Sequence, residues 1–210
     1  MIKKNLKILI LTSVVILLPI IAGIVLWDKL PEQVPIHWNI SGEADGWCGK
    51  AFAVAVMPLI MLGVHWFCLT VTLADPKNQG NSGKIINIVF WIIPVISLAL
   101  SAFTYSAAIG NSMNIELFTS LLLGFIFIVT GNYMPKCRQS YTVGIKLPWT
   151  LHSEENWNKT HRAAGGVWVL AGVVTIIAGF FSLIPLMIAA LAAAAIFPVI
   201  YSYILYRKGI

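Results

Sequence analysis

Charged residues are scarce in this sequence. Asp, Glu, Lys and Arg make up 10% of its 210 residues, whereas 59% are hydrophobic and the mean hydropathy is +0.85. A soluble domain of this length does not cover so much apolar surface with so few charges. The composition therefore excludes an ordinary soluble protein and indicates that most side chains face lipid.

Cysteine is also rare, with three residues in the chain. Cys48 and Cys137 fall in two different polar loops, and Cys68 falls within an apolar run. No pair of them has metal-binding spacing, and their separation argues against an internal disulfide.

The residue sets that carry out catalysis are missing as well. The sequence shows no Ser/His/Asp set, no Cys/His pair and no paired carboxylates within an apolar run. We therefore expect a protein that is not an enzyme and that uses no cofactor.

What the sequence does contain is six long apolar runs. A helix needs roughly 20 mostly apolar residues to cross a bilayer. The runs of this length are Ile8–Leu26, Ala51–Leu73, Ile85–Ala108, Ile115–Tyr133, Ala163–Leu183 and Leu186–Tyr206. They are continuously apolar, whereas strands of a membrane barrel alternate in polarity. The predicted fold class is an all-α integral membrane protein with six transmembrane helices, treated as one domain over residues 1–210.

The first run follows a basic start and so also resembles a signal peptide. Its apolar part is longer than a typical signal-peptide core, and no clear Ala-x-Ala cleavage site follows it. We expect an uncleaved first helix.

Basic residues are distributed unequally between the two sides of these spans. With the amino terminus in the cytoplasm, only Lys29 and Lys50 lie outside. The other twelve lie inside: Lys3, Lys4, Lys7, Lys77, Lys84, Lys136, Arg138, Lys146, Lys159, Arg162, Arg207 and Lys208. This bias predicts a multi-pass protein of the bacterial inner membrane with both termini cytoplasmic. The net charge of +6 then reflects topology and attraction to anionic lipid, so we expect the bilayer as a partner and no direct contact with nucleic acid.

The first long loop, residues 27–50, is extracytoplasmic in this topology. Ile36 and Trp38 alternate with polar neighbours, which predicts a short strand, and residues 41–46 supply turn chemistry. Acidic residues outnumber basic ones here, so a cationic peptide would be weakly attracted. The candidate ligand-binding residues are His37, Trp38, Asn39, Glu43, Asp45 and Trp47.

Two interpretations of this loop remain open. His37, Glu43 and Asp45 are residue types that hold a metal ion or a proton, but they lack tight metal spacing. The alternative, which we favour, is that Trp38 and Trp47 anchor the loop at the lipid headgroups while the polar residues face water.

The second long loop, residues 134–162, is cytoplasmic in this topology. Ser153 is a good helix N-cap, and the pair Glu155 and Lys159 has the i,i+4 spacing of a helix. We expect a short amphipathic helix entering the fifth span, with Trp149 and Trp157 at the membrane interface. His152 and His161 are nine residues apart without a His-Glu-x-x-His pattern, so hydrogen bonding is favoured over zinc.

This loop also carries a recognisable pattern. Residues 144–151 (Gly-Ile-Lys-Leu-Pro-Trp-Thr-Leu), 153–157 (Ser-Glu-Glu-Asn-Trp) and 160–162 (Thr-His-Arg) resemble the signature of the SdpI family. Residues 131–133 match the segment that usually precedes it, and the motif of the first long loop resembles an amino-terminal domain often paired with it. SdpI family members are bacterial membrane proteins linked to immunity against a secreted killing peptide.

The resemblance implies a signalling protein with two faces. The outer and membrane-embedded parts would meet the toxic peptide, and the inner loop would hold a soluble transcriptional repressor at the membrane. The residues it implies for partner binding are Gly144, Ile145, Lys146, Pro148, Trp149, Thr150, Leu151, Glu155, Trp157, His161 and Arg162.

The chain departs from the family pattern at three positions. Ser140 stands where the family commonly has Asn, Lys146 where it has Arg, and Leu147 where it has Thr. If that Arg grips a carboxylate in the family, Lys146 cannot reproduce the bidentate contact.

Two polar residues inside the spans are further candidates, His65 and Asn132. Ionisable groups in a membrane are often functional, but a neutral imidazole bonded to a neighbouring helix is the simpler interpretation of His65. His65 and the prolines within the spans also allow a second function, a small transporter or exporter of a peptide or hydrophobic compound.

Overall fold

The computed structural model describes residues 5–80, 83–111 and 114–210. Within them, six helices are long and apolar enough to span a membrane. The elements are α1 (Leu6–Val25), β1 (Gln33–Trp38), β2 (Ala44–Gly49), α2 (Met57–Ala74), α3 (Gly83–Ala108), α4 (Ile115–Tyr133), a short α5 (Pro148–His152), α6 (Glu154–Phe180) and α7 (Ile184–Arg207). The prediction of a helical membrane protein with six spans is confirmed, with a small β-hairpin added between the first two.

Lys3 and Lys4, two of the twelve basic residues predicted on the cytoplasmic side, lie outside the described residues. The orientation of the termini stays a prediction, since the structure itself has no inside or outside.

The fifth span begins earlier than its apolar pattern predicts. Helix α6 starts at Glu154 rather than at Ala163. Ser153 caps it, because its Oγ accepts the N–H of Asn156 at 3.1 Å. No proline or glycine interrupts the residues between Glu154 and Ala163, so the predicted amphipathic turn and the apolar span form one continuous helix.

The chain forms two compact units. The first contains the described residues as far as Leu69 together with Val89–Phe118, and the second contains Thr70–Ile88 and Thr119–Ile210. Leu30, Val54 and Tyr105 form one buried hydrophobic cluster of the first unit. The description of the chain as one membrane domain stays a prediction.

A π-helical turn, Phe52–Val56, leads from the hairpin into α2. The N–H of Met57 bonds to the carbonyl of Phe52, five residues back. Pro58 follows at once and has no N–H to give. A register change at this point is a known way for a helix to accommodate such a residue.

Glycines bring α4 and α6 close together in the second unit. Gly124 faces Gly172, and Gly131 faces Gly165, in an antiparallel crossing with seven-residue spacing on both helices. A Cβ atom built on Gly172 would lie 2.6 Å from the carbonyl oxygen of Gly124. Close backbone approach through small residues is how membrane helices gain packing energy where lipid offers no hydrophobic drive.

Helices α6 and α7 form a hairpin. They are joined by Phe181, Ser182 and Leu183, with Ser182 at φ 52°. The indole N–H of Trp168 donates to the carbonyl of Ala194 on the returning helix at 2.9 Å.

Candidate functional site

The first long loop folds into a two-stranded β-hairpin. Strands β1 and β2 pair antiparallel from Gln33 opposite Gly49 to Trp38 opposite Ala44, with irregular register around His37. The strand predicted at Ile36 and Trp38 is confirmed. Its partner β2 begins at Ala44, so residues 44–46 of the predicted turn lie in a strand instead.

Asn39 organises the hairpin turn. Its side-chain oxygen accepts the N–H of Ser41 at 2.9 Å and that of Glu43 at 3.0 Å. Gly42 adopts φ 79°, a left-handed conformation that glycine takes without steric cost. Asn39 therefore has a local structural role, apart from any ligand.

The polar candidates of the hairpin lie on its exposed surface. His37 Nδ1 contacts Asp45 Oδ1 at 2.5 Å, with the His37 side chain 73% exposed. Glu43 lies 3.4 Å from the amide of Asn39. The structure thus pairs His37 with Asp45 and places Glu43 in a separate contact.

The two tryptophans of the hairpin have different surroundings. Trp38 packs edge-on against Phe103, with ring centroids 5.0 Å apart. Trp47 is 54% exposed. Trp47 is thus available to lipid headgroups, whereas Trp38 is engaged with the protein.

Lys50 bonds to residues at the start of this loop. The sequence analysis did not identify it as a structural residue. Its ammonium group lies 3.0 Å from Glu32, donates to the carbonyls of Trp27 and Leu30, and stands over the Trp27 ring. The side chain is nearly buried. Lys50, which the sequence analysis treats only as a charge on the outer side, therefore links the two ends of the loop.

His65 lies fully buried between α1 and α2. Its Nε2 is 3.0 Å from the hydroxyl of Thr12, and that hydroxyl donates to the carbonyl of Ile8 at 2.9 Å. Nε2 is therefore the donor to Thr12, and Nδ1 has no partner among the described residues. The expected bond to a neighbouring helix is confirmed. Asn132, the other intramembrane candidate, is exposed near the end of α4.

The second long loop is organised around Asp75, which sequence reasoning missed. Asp75 follows α2, and its carboxylate is 6% exposed. Oδ2 accepts the hydroxyl of Ser140 at 2.8 Å and the backbone N–H groups of Tyr141 and Thr142 at 2.8 and 3.1 Å. The hydroxyl of Thr142 donates to the same oxygen at 2.9 Å.

These hydrogen bonds decide the charge state of Asp75. Burial by itself raises the pKa of the carboxyl group, but the donors from Ser140, Lys77, Thr142 and Tyr141 outweigh it and lower the pKa below its ordinary value of 3.8. Asp75 is therefore an anion at neutral pH.

Ser140 organises the turn that bonds to Asp75. Its hydroxyl donates to Asp75 and accepts the N–H groups of Thr142 and Val143, each at 3.1 Å. Serine and asparagine both make such local turns through a side-chain oxygen. The Ser140 hydroxyl thus provides the side-chain oxygen of this turn.

Trp157 and His161 form the centre of the signature segment, by which we mean residues 134–162. Their rings stack with centroids 4.0 Å apart. Trp157 is fully buried and its indole N–H donates to the carbonyl of Cys137 at 2.8 Å. The expectation that Trp157 lies at the membrane interface is therefore wrong: its polar edge is satisfied within the protein.

His161 is held as one tautomer. Its Nδ1 donates to the carbonyl of Trp157, and its Nε2 accepts the N–H of Ile145, both at 2.8 Å. Gly144 lies directly over the two rings at φ 118°, and a Cβ atom there would come within 2.6 Å of His161 Nε2. Four residues of the predicted partner-binding set thus make contacts with each other.

Thr150 and Gln139 form the hydrogen bonds at the two ends of α5. Thr150 accepts the N–H of Leu147 and donates to the carbonyl of Ile145. Gln139 donates to the carbonyls of Thr150 and Leu151, each at 2.9 Å.

The carboxyl-terminal part of the chain is bonded to the same segment. Asn156 is fully buried and donates to the carbonyls of Ser202 and Ile210. Trp149 donates to the hydroxyl of Ser202 at 2.8 Å and its ring contacts Tyr203 and Tyr206.

The exposed candidates lie on the opposite face of α6 and its approach. Pro148 is exposed. Lys146 donates to the carbonyl oxygen of Thr142 at 3.3 Å, a backbone acceptor rather than a carboxylate. Glu155 and Lys159 form the expected ion pair at 2.7 Å. A shallow groove of about 440 Å³ is lined by Glu154, Glu155, Asn158, Lys159 and Arg162.

Two segments of the chain match known protein families. Residues 136–202 match the SdpI/YfhL protein family, and residues 14–62 match a domain of unknown function, DUF1648. The chain is 27% identical over 211 residues to the immunity protein SdpI of Bacillus subtilis (strain 168), covering 98% of this chain and 97% of that protein. No solved structure matches. The resemblance drawn from the two loop motifs is confirmed.

Proposed function

We propose, from the premise that residues 136–202 carry the SdpI family segment, that this protein protects a bacterial cell from a toxic peptide. The observation that carries this proposal is the similarity to an immunity protein over nearly the full length of both chains. The two loop motifs and all six spans are included in that similarity. No catalytic step is part of the proposal.

The proposed setting is the bacterial inner membrane, with the hairpin outside and the signature segment in the cytoplasm. The distribution of Lys and Arg supports this orientation, since twelve of the fourteen fall on the cytoplasmic side.

The toxic peptide would meet the hairpin and the adjacent spans. The hairpin presents Asp45 and Glu43 close to an exposed Trp47. Carboxylates attract a cationic peptide, and an exposed indole at the membrane surface adds apolar contact.

The signature segment would hold a soluble repressor at the membrane, which is the finer part of the proposal. Its exposed members, Lys146, Glu155 and Arg162, are accessible to such a partner. Trp157, His161 and Thr150 are buried in this arrangement and support those contacts from within.

The immunity proposal is tested by expression in a bacterial strain sensitive to a secreted killing peptide. We expect survival at peptide concentrations that kill cells carrying an empty vector. Unchanged killing by every such peptide tested, with the protein present in the membrane, would contradict immunity.

His65 supports a second candidate, the transport of a peptide or hydrophobic compound. Its imidazole is fully buried, and Nδ1, which has no partner among the described residues, would serve as the hydrogen-bonding contact for cargo within the spans. Labelled peptide should then accumulate in proteoliposomes containing the protein; equal accumulation in empty liposomes removes this candidate.

A further inference from the structure

Asp75 lies where two loops of the second unit meet, and one carboxylate group bonds to both. Oδ1 accepts the N–H of Lys77 in its own loop, at 2.9 Å, and Oδ2 accepts four hydrogen bonds from residues 140–142. A carboxylate that receives five donors is a strong and geometrically specific tie. It joins residues 65 to 67 positions apart in the sequence.

The loop that carries Asp75 makes further contacts with residues 139–142. Asn78 is fully buried and donates to the hydroxyl of Thr142 and to the carbonyl of Thr72, both at 2.7 Å. Lys77 donates to Gln139 at 3.0 Å and lies over the ring of Tyr141. Residues 75, 77 and 78 thus all bond to residues 139–142 and hold that segment in place.

Residues 139–143 in turn cover the centre of the signature segment. Val143 packs against the buried cluster of Ile85, Cys137 and Trp157. The sulfur of Cys137 lies 3.6 Å from the carbonyl of Val143. This covering leaves Cys137 6% exposed and Trp157 with no exposed surface.

We propose that Asp75 is a latch: its carboxylate holds residues 139–143 closed over Cys137 and Trp157, and its release exposes the signature residues to a soluble partner. The proposal rests on the proposed docking function, because it says when the buried members of that site become accessible. Asp75 acts by positioning and touches no ligand itself.

The position of the latch in the chain suits a signal that crosses the membrane. Helix α2 ends at Ala74, the residue before Asp75, and it follows the hairpin through the π-helical turn Phe52–Val56. One continuous helical segment therefore connects the peptide-facing hairpin to the latch. A ligand shifts such an equilibrium only if it prefers one arrangement, so the toxic peptide would have to favour a position of α2.

Cys137 provides a direct reporter of latch opening. Burial raises the pKa of its thiol to about 11, and the thiolate is the species that reacts with maleimide. Opening restores water to the sulfur and increases the thiolate fraction. In a protein carrying Cys48→Ser and Cys68→Ala, Cys137 is the sole thiol, and its labelling rate measures opening.

The decisive variant in that background is Asp75→Asn, which keeps the side-chain shape but has a single acceptor oxygen. We expect Cys137 in the folded, membrane-embedded protein to label about tenfold faster or more than in the parent. The matched control is Asp28→Asn, the same change at an exposed carboxylate, which should label at the parent rate. Labelling of Asp75→Asn within twofold of the parent overturns the latch.

Thr142→Val covers the case in which Asp75→Asn does not fold. It removes one hydroxyl donor to Asp75 and the acceptor for Asn78 without changing size. We expect labelling to rise several-fold while the melting temperature stays within a few degrees of the parent. An unchanged rate overturns the proposal by itself.

A killing assay on the same proteins separates this proposal from the function it rests on. A parent protein that gives no protection rejects immunity, while the labelling rates still decide whether the latch exists. If instead the parent protects and Asp75→Asn labels at the parent rate, immunity stands and the latch fails.

Discussion

Single residues in the signature segment are constrained by their neighbours more than by solvent. Gly144, Trp157 and His161 form one stack in which the glycine has no room for a side chain and a backbone conformation that disfavours one. This explains why a glycine stands at position 144. The recognisable pattern is, at this point, a packing requirement.

Gly144→Ala should therefore destabilise the protein by about 1–3 kcal/mol, because it adds strain at φ 118° and a clash with His161. Thermal unfolding in detergent measures it. The control is Gly166→Ala on α6, where a Cβ atom meets open space and a helical alanine is favoured. Equal stability of Gly144→Ala and its parent would show that the stack is not formed.

Asp75 gives the protein a predictable response to acid. Because its pKa is lowered on folding, it contributes stability above the unfolded value of 3.8, and that contribution is lost as pH falls through the folded pKa. Melting temperatures of the parent should fall more steeply below about pH 4 than those of Asp75→Asn. Parallel curves for the two proteins would contradict this assignment.

At the scale of elements, the antiparallel glycine pairs set how closely α4 and α6 approach. Gly124 with Gly172, and Gly131 with Gly165, place the two backbones in direct contact. Any side chain at these positions must push the helices apart. Helix α6 carries the signature residues at its amino-terminal end, so this contact also supports the site.

Gly172→Ala should weaken the contact by about 1–3 kcal/mol, since its Cβ atom would lie 2.6 Å from the carbonyl oxygen of Gly124. The loss is measurable as a lower midpoint of unfolding in denaturing detergent. Gly63→Ala on α2, a helical glycine with no atom within 4 Å of an added Cβ, is the control and should not lower the midpoint. A similar shift in both variants would argue against the α4–α6 contact.

At the scale of the whole molecule, the proposed function depends on which side of the membrane each loop faces. The hairpin turn and the amino-terminal part of α6 both offer exposed positions, Ser41 and Asn158. In a cysteine-free background, Ser41→Cys should react with a membrane-impermeant maleimide in intact spheroplasts. Asn158→Cys should react only after permeabilisation, and the reverse pattern would invert the proposed arrangement.

The sequence alone determined the features that depend on local composition. Six spans, the strand at Ile36 and Trp38 and the Ser153 cap were all predictable, because each is decided by residues close together in the chain. The family resemblance was likewise visible in two short motifs. The apolar run of the fifth span starts only at Ala163, nine residues after α6 begins, because polarity marks the edge of lipid, whereas a helix extends as far as its backbone bonding does.

The tertiary structure alone decided which polar residues are central. The sequence does not single out Asp75, it predicts Trp157 at the membrane interface, and it marks Lys50 only as a charge on the outer side. In the structure all three are buried and bonded to distant parts of the chain. Their partners are about 20 to 67 residues away. No local sequence pattern predicts these long-range hydrogen bonds, because they depend on how the helices bring the loops together.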